Sequence, residues 1–164
     1  MKIELRNIKH AAFASEETYC FSATVYVDGK KAGSARNAGK GGATDVWPPE
    51  LEARLNAYAA TLPYIDIGPV AHCGAAMEIR QTAETLIDDL LGDWLLERDL
   101  KRALSSRVLF VRGGMVLQTA AMNKKALDWN LRSQDLASRL RADSILNLLP
   151  WNEAVAAYKK ALPA

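Results

Sequence analysis

The feature that most constrains this chain is an alternating run from Tyr19 to Val27 that ends in the dipeptide Asp28-Gly29. Every second position of the run is apolar or aromatic, which is the period of a β-strand with one covered face. An Asp-Gly pair after such a run predicts a type I′ hairpin, because both central residues of that turn have positive φ. A return strand is therefore predicted over residues 32–36.

The order of the predicted elements indicates an α+β fold. An earlier alternating stretch at residues 2–9 completes a three-stranded meander, and the helical and hairpin patterns follow later in the chain. Helices are predicted at 49–62, 77–104, 124–140 and 152–162, and a second hairpin at 107–119. We expect an N-terminal antiparallel β-meander packed on a helix, residues 1–63. A mainly helical part with a β-hairpin follows, residues 64–164, and both are expected to form one compact unit.

Single residues mark the predicted breaks, turns and caps of these elements. Gly92 is a potential break in the helix at 77–104, and Gly113-Gly114 supplies the turn of the second hairpin. Asn152 is the predicted N-cap of the last helix, because its side chain can accept hydrogen bonds from the first turn.

Composition limits the classes of protein to which this chain can belong. A hydrophobic content of 49% with 24% charged residues is typical of a globular protein. No stretch approaches the roughly 18 apolar residues of a spanning helix, so we predict a cytoplasmic protein without a membrane partner. Cys20 and Cys73 are far apart and form no CxxC pair, which predicts buried free thiols.

A glycine-dense loop at residues 37–42 is the first candidate site. Successive N–H groups of such a loop can cradle an anion, and Lys40 adds positive charge. The spacing matches neither a dinucleotide-binding nor a P-loop fingerprint. A turn or partner-binding loop is therefore the favoured interpretation, with Asn37 and Lys40 as its candidate contacts.

Metal binding and catalysis find little support in the pattern. The two histidines and two cysteines lack the paired spacing of structural zinc sites, so no metal, cofactor or catalytic residue is predicted. A metal-dependent enzyme that uses Asp88, Asp89 or His72 remains an alternative hypothesis, because carboxylates and imidazole are both metal ligands.

Charge is distributed unevenly along a chain whose net charge is only +2. Residues 77–99 hold seven acidic and two basic side chains, whereas residues 101–142 hold nine basic and two acidic ones. The nine basic residues are candidate partner contacts: Lys101, Arg102, Arg107, Arg112, Lys124, Lys125, Arg132, Arg139 and Arg141. With Trp129 and Trp151 as stacking surfaces they form a candidate nucleic-acid surface. Because the whole chain is nearly neutral, the favoured interpretation is instead that the acidic segment packs against the basic one and neutralises it.

Three motifs carry a resemblance to a known family. They are FASEETYCF at 13–21, the Asp-Gly turn, and NAGKGGATD at 37–45. Their order resembles a family of small proteins encoded by bacteriophages and prophages, and ILNLLPWNEAV at 145–155 resembles a tail of related proteins. The resemblance carries no catalytic signature. It implies a phage accessory protein in a bacterial host, and such proteins are often antagonists of host defence, including anti-CRISPR proteins.

These observations favour a non-enzymatic interaction protein of phage type. The expected partner is a host protein or a ribonucleoprotein complex, contacted through the glycine loop and the basic segment. A nucleic-acid-binding module that uses residues 101–142 is the first alternative, and the metal-dependent enzyme is the second. Since an exposed strand edge can pair with another strand, a homodimer through residues 107–119 is a further expectation.

Overall fold

A computed structural model describes residues 1–69 and 76–161 of the chain. The fold divides into two compact units, Met1–Asp93 and Trp94–Ala164. The division predicted from the sequence lies earlier, at residue 63. The difference arises because a small strand pair and the first half of a long helix belong to the first unit.

The first unit is built on a four-stranded antiparallel sheet. Its strands are β1 (Ile3–His10), β2 (Cys20–Val27), β3 (Lys30–Ala38) and β4 (Asp45–Trp47), in the order β1-β2-β3-β4. The predicted meander is thus confirmed and gains a fourth strand. The turn between β2 and β3 has positive φ at both Asp28 (50°) and Gly29 (79°), as the Asp-Gly signal predicts.

One face of this sheet packs against the helix that follows it in the chain. The side chains of β2 that point inward are buried: Phe21, Ala23, Val25 and Val27. Helix α1 (Pro49–Ala59) buries Leu51 and Leu55. It packs so closely that a Cβ atom at Gly33 of β3 would lie 2.6 Å from the Leu51 side chain. The α+β class and the meander packed on a helix are therefore confirmed.

The long helix begins later than its periodicity predicts. Residues Ala76–Ile79 form strand β6, paired antiparallel with β5 (Ile65–Pro69), so the predicted helical start at residue 77 is wrong. Helix α2 spans Ala83–Leu104 and passes through Gly92 without a break. Its start is fixed by side chains, since the Ala83 N–H donates to the Asn56 side chain at 2.7 Å.

The second unit contains a three-stranded sheet in the order β8-β7-β9. Its strands are β7 (Leu109–Arg112), β8 (Met115–Gln118) and β9 (Ser144–Ile145). Gly113 and Gly114 both have positive φ, which confirms the predicted hairpin. Both faces of the central strand β7 are covered, because Phe110 and Leu109 belong to two different hydrophobic clusters.

The predicted helix at 124–140 is two helices. Helix α3 spans Lys124–Leu131 and helix α4 spans Leu136–Leu140. Leu127 and Leu136 are buried in the same cluster although they are nine positions apart. In one straight helix of 3.6 residues per turn, nine positions place two side chains on opposite faces. The break between α3 and α4 turns both leucines toward one core.

The last helix, α5, spans Trp151–Lys160. Pro150 occupies its N-cap position and Asn152 lies exposed in the first turn, so the predicted Asn152 cap is wrong. An asparagine cap does occur at α3, where the Asn123 side chain accepts a hydrogen bond from the Ala126 N–H at 2.9 Å. Within the described residues, no helix is long and apolar enough to cross a membrane.

Candidate interaction surfaces

The predicted glycine loop is held by backbone hydrogen bonds to the segment that precedes β2. The Gly39 carbonyl accepts from the N–H groups of Glu16 (2.9 Å), Glu17 (3.1 Å) and Thr18 (3.5 Å). Gly39 is buried and has a φ of 84°, and a Cβ atom there would lie 2.1 Å from the Ala14 carbonyl oxygen. Two loops are thus locked together at one end of the sheet.

Asn37 is the hydrogen-bonding centre of this end of the sheet. Its Oδ1 atom accepts from the Gly39 N–H at 2.8 Å and from the Thr18 hydroxyl at 2.9 Å. Its Nδ2 atom donates to the Gly42 carbonyl at 2.8 Å and to Thr44 Oγ1 at 3.3 Å. The residue is only 7% exposed. The structure therefore gives this predicted contact residue an internal role, in which it sets the shape of the loop.

Thr44 connects the loop to helix α2. Its N–H donates to Glu84 at 2.8 Å and its hydroxyl donates to Asp88 at 2.9 Å. Asp88 also lines a cavity of about 250 Å³ together with Tyr19 and Glu17. Burial raises the pKa of Asp88 above its ordinary value; the Thr44 hydrogen bond acts in the opposite direction, and the nearby carboxylates of Glu84 and Asp89 raise the pKa further.

The raised pKa of Asp88 predicts that the contribution of this carboxyl group to stability falls as pH rises. The folded state binds the proton more tightly than the unfolded state, so the loss begins near the ordinary pKa of 3.8 and is complete above the folded-state value. Asp88→Asn keeps an oxygen for Thr44 without the charge. We expect it to be more stable than the wild type at pH 7, with a difference that shrinks toward pH 4.

Urea unfolding of both proteins between pH 4 and pH 7 measures this difference. Asp89→Asn at the exposed next position is the matched control, since its carboxylate is the weakest of the three influences that raise the Asp88 pKa. The control is expected to act in the same direction and less strongly. A pH-independent difference between Asp88→Asn and the wild type would contradict the assignment.

Exposed aromatic side chains project from the same end of the sheet. Phe13 lies in the middle of a single 3-10 turn, Ala12–Ala14, and is 94% exposed. Tyr19 is 52% exposed, and its ring forms a T-shaped contact with the His10 ring at a centroid distance of 5.8 Å. The Ser15 hydroxyl donates to the Ala11 carbonyl and accepts from the Cys20 N–H, so the turn is fixed at both of its ends.

The two contact residues predicted in the glycine loop differ in exposure, since Asn37 is buried. Lys40 is exposed, as expected of a contact residue. Phe13 was not predicted as a contact, although a phenylalanine next to the polar residues 15–18 was an available signal. Thr18 and Thr44 were also missed, because their partners lie far from them in the sequence.

The basic residues of 101–142 lie almost entirely on the surface of the second unit. Arg107 is half-buried and the other eight are exposed. Within the described part of the chain, Arg139 alone among the nine forms an ion pair, with Asp135 at 4.0 Å. Lys101 lies 4.7 Å from the centre of the Trp151 ring, and Arg112 donates to the Leu140 carbonyl at 3.5 Å. Most of the nine positive charges are therefore open to solvent.

The proposed metal ligands and thiols fall into two groups. Cys20 is a free thiol, but it is half-buried and not buried as predicted, because it lies at the start of β2 near the surface. His72 and Cys73 lie outside the described residues. Among the residues that the structure describes, no three histidine, cysteine, aspartate or glutamate side chains converge as metal ligands.

Comparison of the chain with protein-family models, with curated proteins and with solved structures finds no match.

Proposed function

We propose that this protein is a phage-type, non-enzymatic interaction protein that binds a host protein or ribonucleoprotein complex through the turn that carries Phe13. The observation that carries the proposal is the 94% exposure of that ring. An exposed aromatic side chain contributes nothing to a core, whereas buried aromatics are frequent anchors at the centre of protein interfaces.

The bracing of the turn is the second support. Three N–H groups converge on the Gly39 carbonyl, and the Ser15 hydroxyl bonds to backbone groups on both sides of the turn. A loop that is already ordered loses little conformational entropy when it binds, so more of its contact energy appears as affinity. The hydrogen-bonding network around Asn37 thus serves to present Phe13.

Charge near the turn indicates the chemistry of the partner surface. Glu16 and Glu17 follow Phe13 and are exposed. The glycine loop opposite them carries one exposed basic side chain, Lys40. Residues 1–93 carry thirteen acidic and nine basic side chains. An apolar pocket with a mainly basic rim would complement this surface, since opposite potentials across an interface favour association and orient the partners.

Replacement of Phe13 tests the proposal. We expect Phe13→Ala to fold like the wild type, because the ring is exposed, and to weaken partner binding about thirtyfold, the effect of losing an anchor worth about 2 kcal/mol. Tagged wild type, Phe13→Ala and Trp47→Ala are each incubated with bacterial lysate, cross-linked and analysed by mass spectrometry. Trp47 is the matched control because it is also exposed, at 66%, and lies in β4.

A host protein or complex held by the wild type and by Trp47→Ala, and lost from Phe13→Ala, would support the proposal. The affinity of the purified partner for all three proteins then gives the size of the effect. Equal recovery of every bound protein by wild type and Phe13→Ala would refute it.

Antagonism of host defence is the finer part of the proposal. Expression of the wild-type protein in a bacterium with CRISPR immunity should restore plaque formation by a targeted phage, and Phe13→Ala should not. If a partner depends on Phe13 but expression of the protein leaves CRISPR immunity unchanged, the proposed interaction stands and the anti-CRISPR role is wrong.

A further inference from the structure

An exposed tryptophan of helix α3 lies between two basic side chains, Lys125 in the helix and Arg132 at its C-cap. Lys125, Trp129 and Arg132 are spaced by four and three positions, the spacing that places side chains in one line along a helix. Trp129 is 68% exposed, and Lys125 and Arg132 are also exposed. Leu127, on the opposite side of the helix, is buried in the core. The fold thus anchors α3 by one face and presents the other to solvent.

The second tryptophan of this basic unit has a different environment. Trp151 is half-buried, and its ring is covered by the Lys101 ammonium group at 4.7 Å. That intramolecular cation–π contact occupies one face of the Trp151 ring. Of the two rings that the sequence offered as stacking surfaces, the structure leaves Trp129 open to a ligand.

We propose that the line Lys125-Trp129-Arg132 binds single-stranded nucleic acid. A base stacks on the Trp129 ring, and the phosphates on either side of that base meet Lys125 and Arg132. Bases of any identity have a π-face, so such a platform binds strands without reading their sequence. This inference is carried by the second unit and is independent of the function proposed for Phe13.

A single strand fits these residues better than the other polyanions. In a duplex the base faces are stacked inside, so an exposed ring gains no stacking partner and only the cations contribute. An acidic protein would supply carboxylates for the two cations, whereas a strand repeats a flat ring between two anions along its own backbone. The combination of one open indole ring with a cation on each side is the arrangement that a flexible, unstacked strand satisfies.

Asp128 provides a substitution that should strengthen nucleic-acid binding, in contrast to substitutions of Lys125, Trp129 and Arg132. It is exposed, lies next to Trp129 in the chain, and is four positions before Arg132, the C-cap of the same helix. Its carboxylate repels phosphates and reduces the positive potential that Lys125 and Arg132 create at this surface. Removal of this carboxylate should therefore tighten binding, whereas a residue needed only for folding would weaken it.

Fluorescence anisotropy with labelled oligonucleotides tests the site in the full-length protein. The probes are a single-stranded DNA and a single-stranded RNA of about 15 nucleotides, the upper range of a single binding site, and a duplex of the same length. Each titration is repeated at several salt concentrations. The variants are Trp129→Ala, Trp129→Phe, Asp128→Asn, Lys125→Ala and Arg132→Ala, with Trp47→Ala and Lys30→Ala as controls from the other unit.

We expect Trp129→Ala to lose about tenfold in affinity for single strands and Trp129→Phe to lose much less, because phenylalanine keeps a stacking face. Asp128→Asn should bind more tightly than the wild type. Lys125→Ala and Arg132→Ala should each reduce the slope of log affinity against log salt by about 0.7, the value for one phosphate contact on a single strand. The two controls should bind as the wild type does.

The proposal is overturned if Trp129→Ala binds single strands as tightly as the wild type does. Stronger binding of the duplex than of either single strand would also overturn it. Poly-glutamate that competes as effectively as the oligonucleotide would assign the surface to an acidic protein instead. Circular dichroism of each variant separates loss of binding from loss of fold, and Trp129→Phe preserves the test if the alanine variant unfolds.

Discussion

Replacing Gly39 by alanine is expected to destabilise the first unit by about 3 kcal/mol or more. The added Cβ would lie 2.1 Å from the Ala14 carbonyl oxygen and 2.8 Å from the Cys20 Cβ atom, and the first of these is backbone that cannot rotate away. The φ of 84° adds strain, because residues with a side chain rarely adopt it. Urea unfolding gives the free energy, and amide hydrogen exchange locates the loss.

Gly42→Ala is the matched control for this prediction. It lies in the same loop, and a Cβ atom there meets nothing within 4 Å. We expect its unfolding free energy to stay within about 0.5 kcal/mol of the wild type. If both alanine variants behaved alike, the close contact between the Gly39 turn and the Ala14 turn would be wrong. A further consequence is that Gly39→Ala should also weaken the binding that we propose for Phe13, although the substituted position is buried.

Asn37→Ala is expected to destabilise the same unit by about 3 kcal/mol. The change removes four hydrogen bonds at once, including the one that the buried Gly39 N–H donates to the Asn37 side chain. A buried polar group that loses its only partner costs about 1–3 kcal/mol, and the missing side chain leaves a small void in addition. The measurement is urea unfolding at pH 7, followed by circular dichroism.

Asn152→Ala serves as the control for Asn37→Ala. That side chain is exposed in the first turn of α5, so the substitution should change stability by less than about 0.5 kcal/mol. An equal effect at both positions would mean that the hydrogen bonds of Asn37 contribute no more than helix propensity does. Hydrogen exchange should show the loss of protection for Asn37→Ala in residues 14–19 and 37–44.

Local chemistry explains which elements were predictable from the sequence. Both hairpins were predicted, because Asp28-Gly29 and Gly113-Gly114 specify their own turns through positive φ. The start of α2 was not, because the short run at 76–79 fits a helical period as well as a strand. The run becomes a strand because Ile79 pairs with Ile65, a contact that the periodicity of the run itself does not show.

The break between α3 and α4 shows a second kind of limit. A leucine pattern alone permits one continuous helix, and only the position of the core reveals that Leu127 and Leu136 must face the same way. The candidate surfaces follow the same rule. The exposure of Lys125 and Arg132 was predictable because charged side chains are rarely buried. The burial of Asn37 depends on Thr18 and Thr44, whose proximity is a property of the fold.

Helix α2 has a practical consequence for dividing the protein. The boundary between the two units falls at Asp93 and Trp94, in the middle of a helix of 22 residues. A cut at that boundary would remove the backbone hydrogen bonds that join the two halves of the helix and leave a new, uncapped helix end on each fragment. Fragments meant to isolate Phe13 from Trp129 should therefore both retain the whole of α2, with the overlap accepted as part of their design.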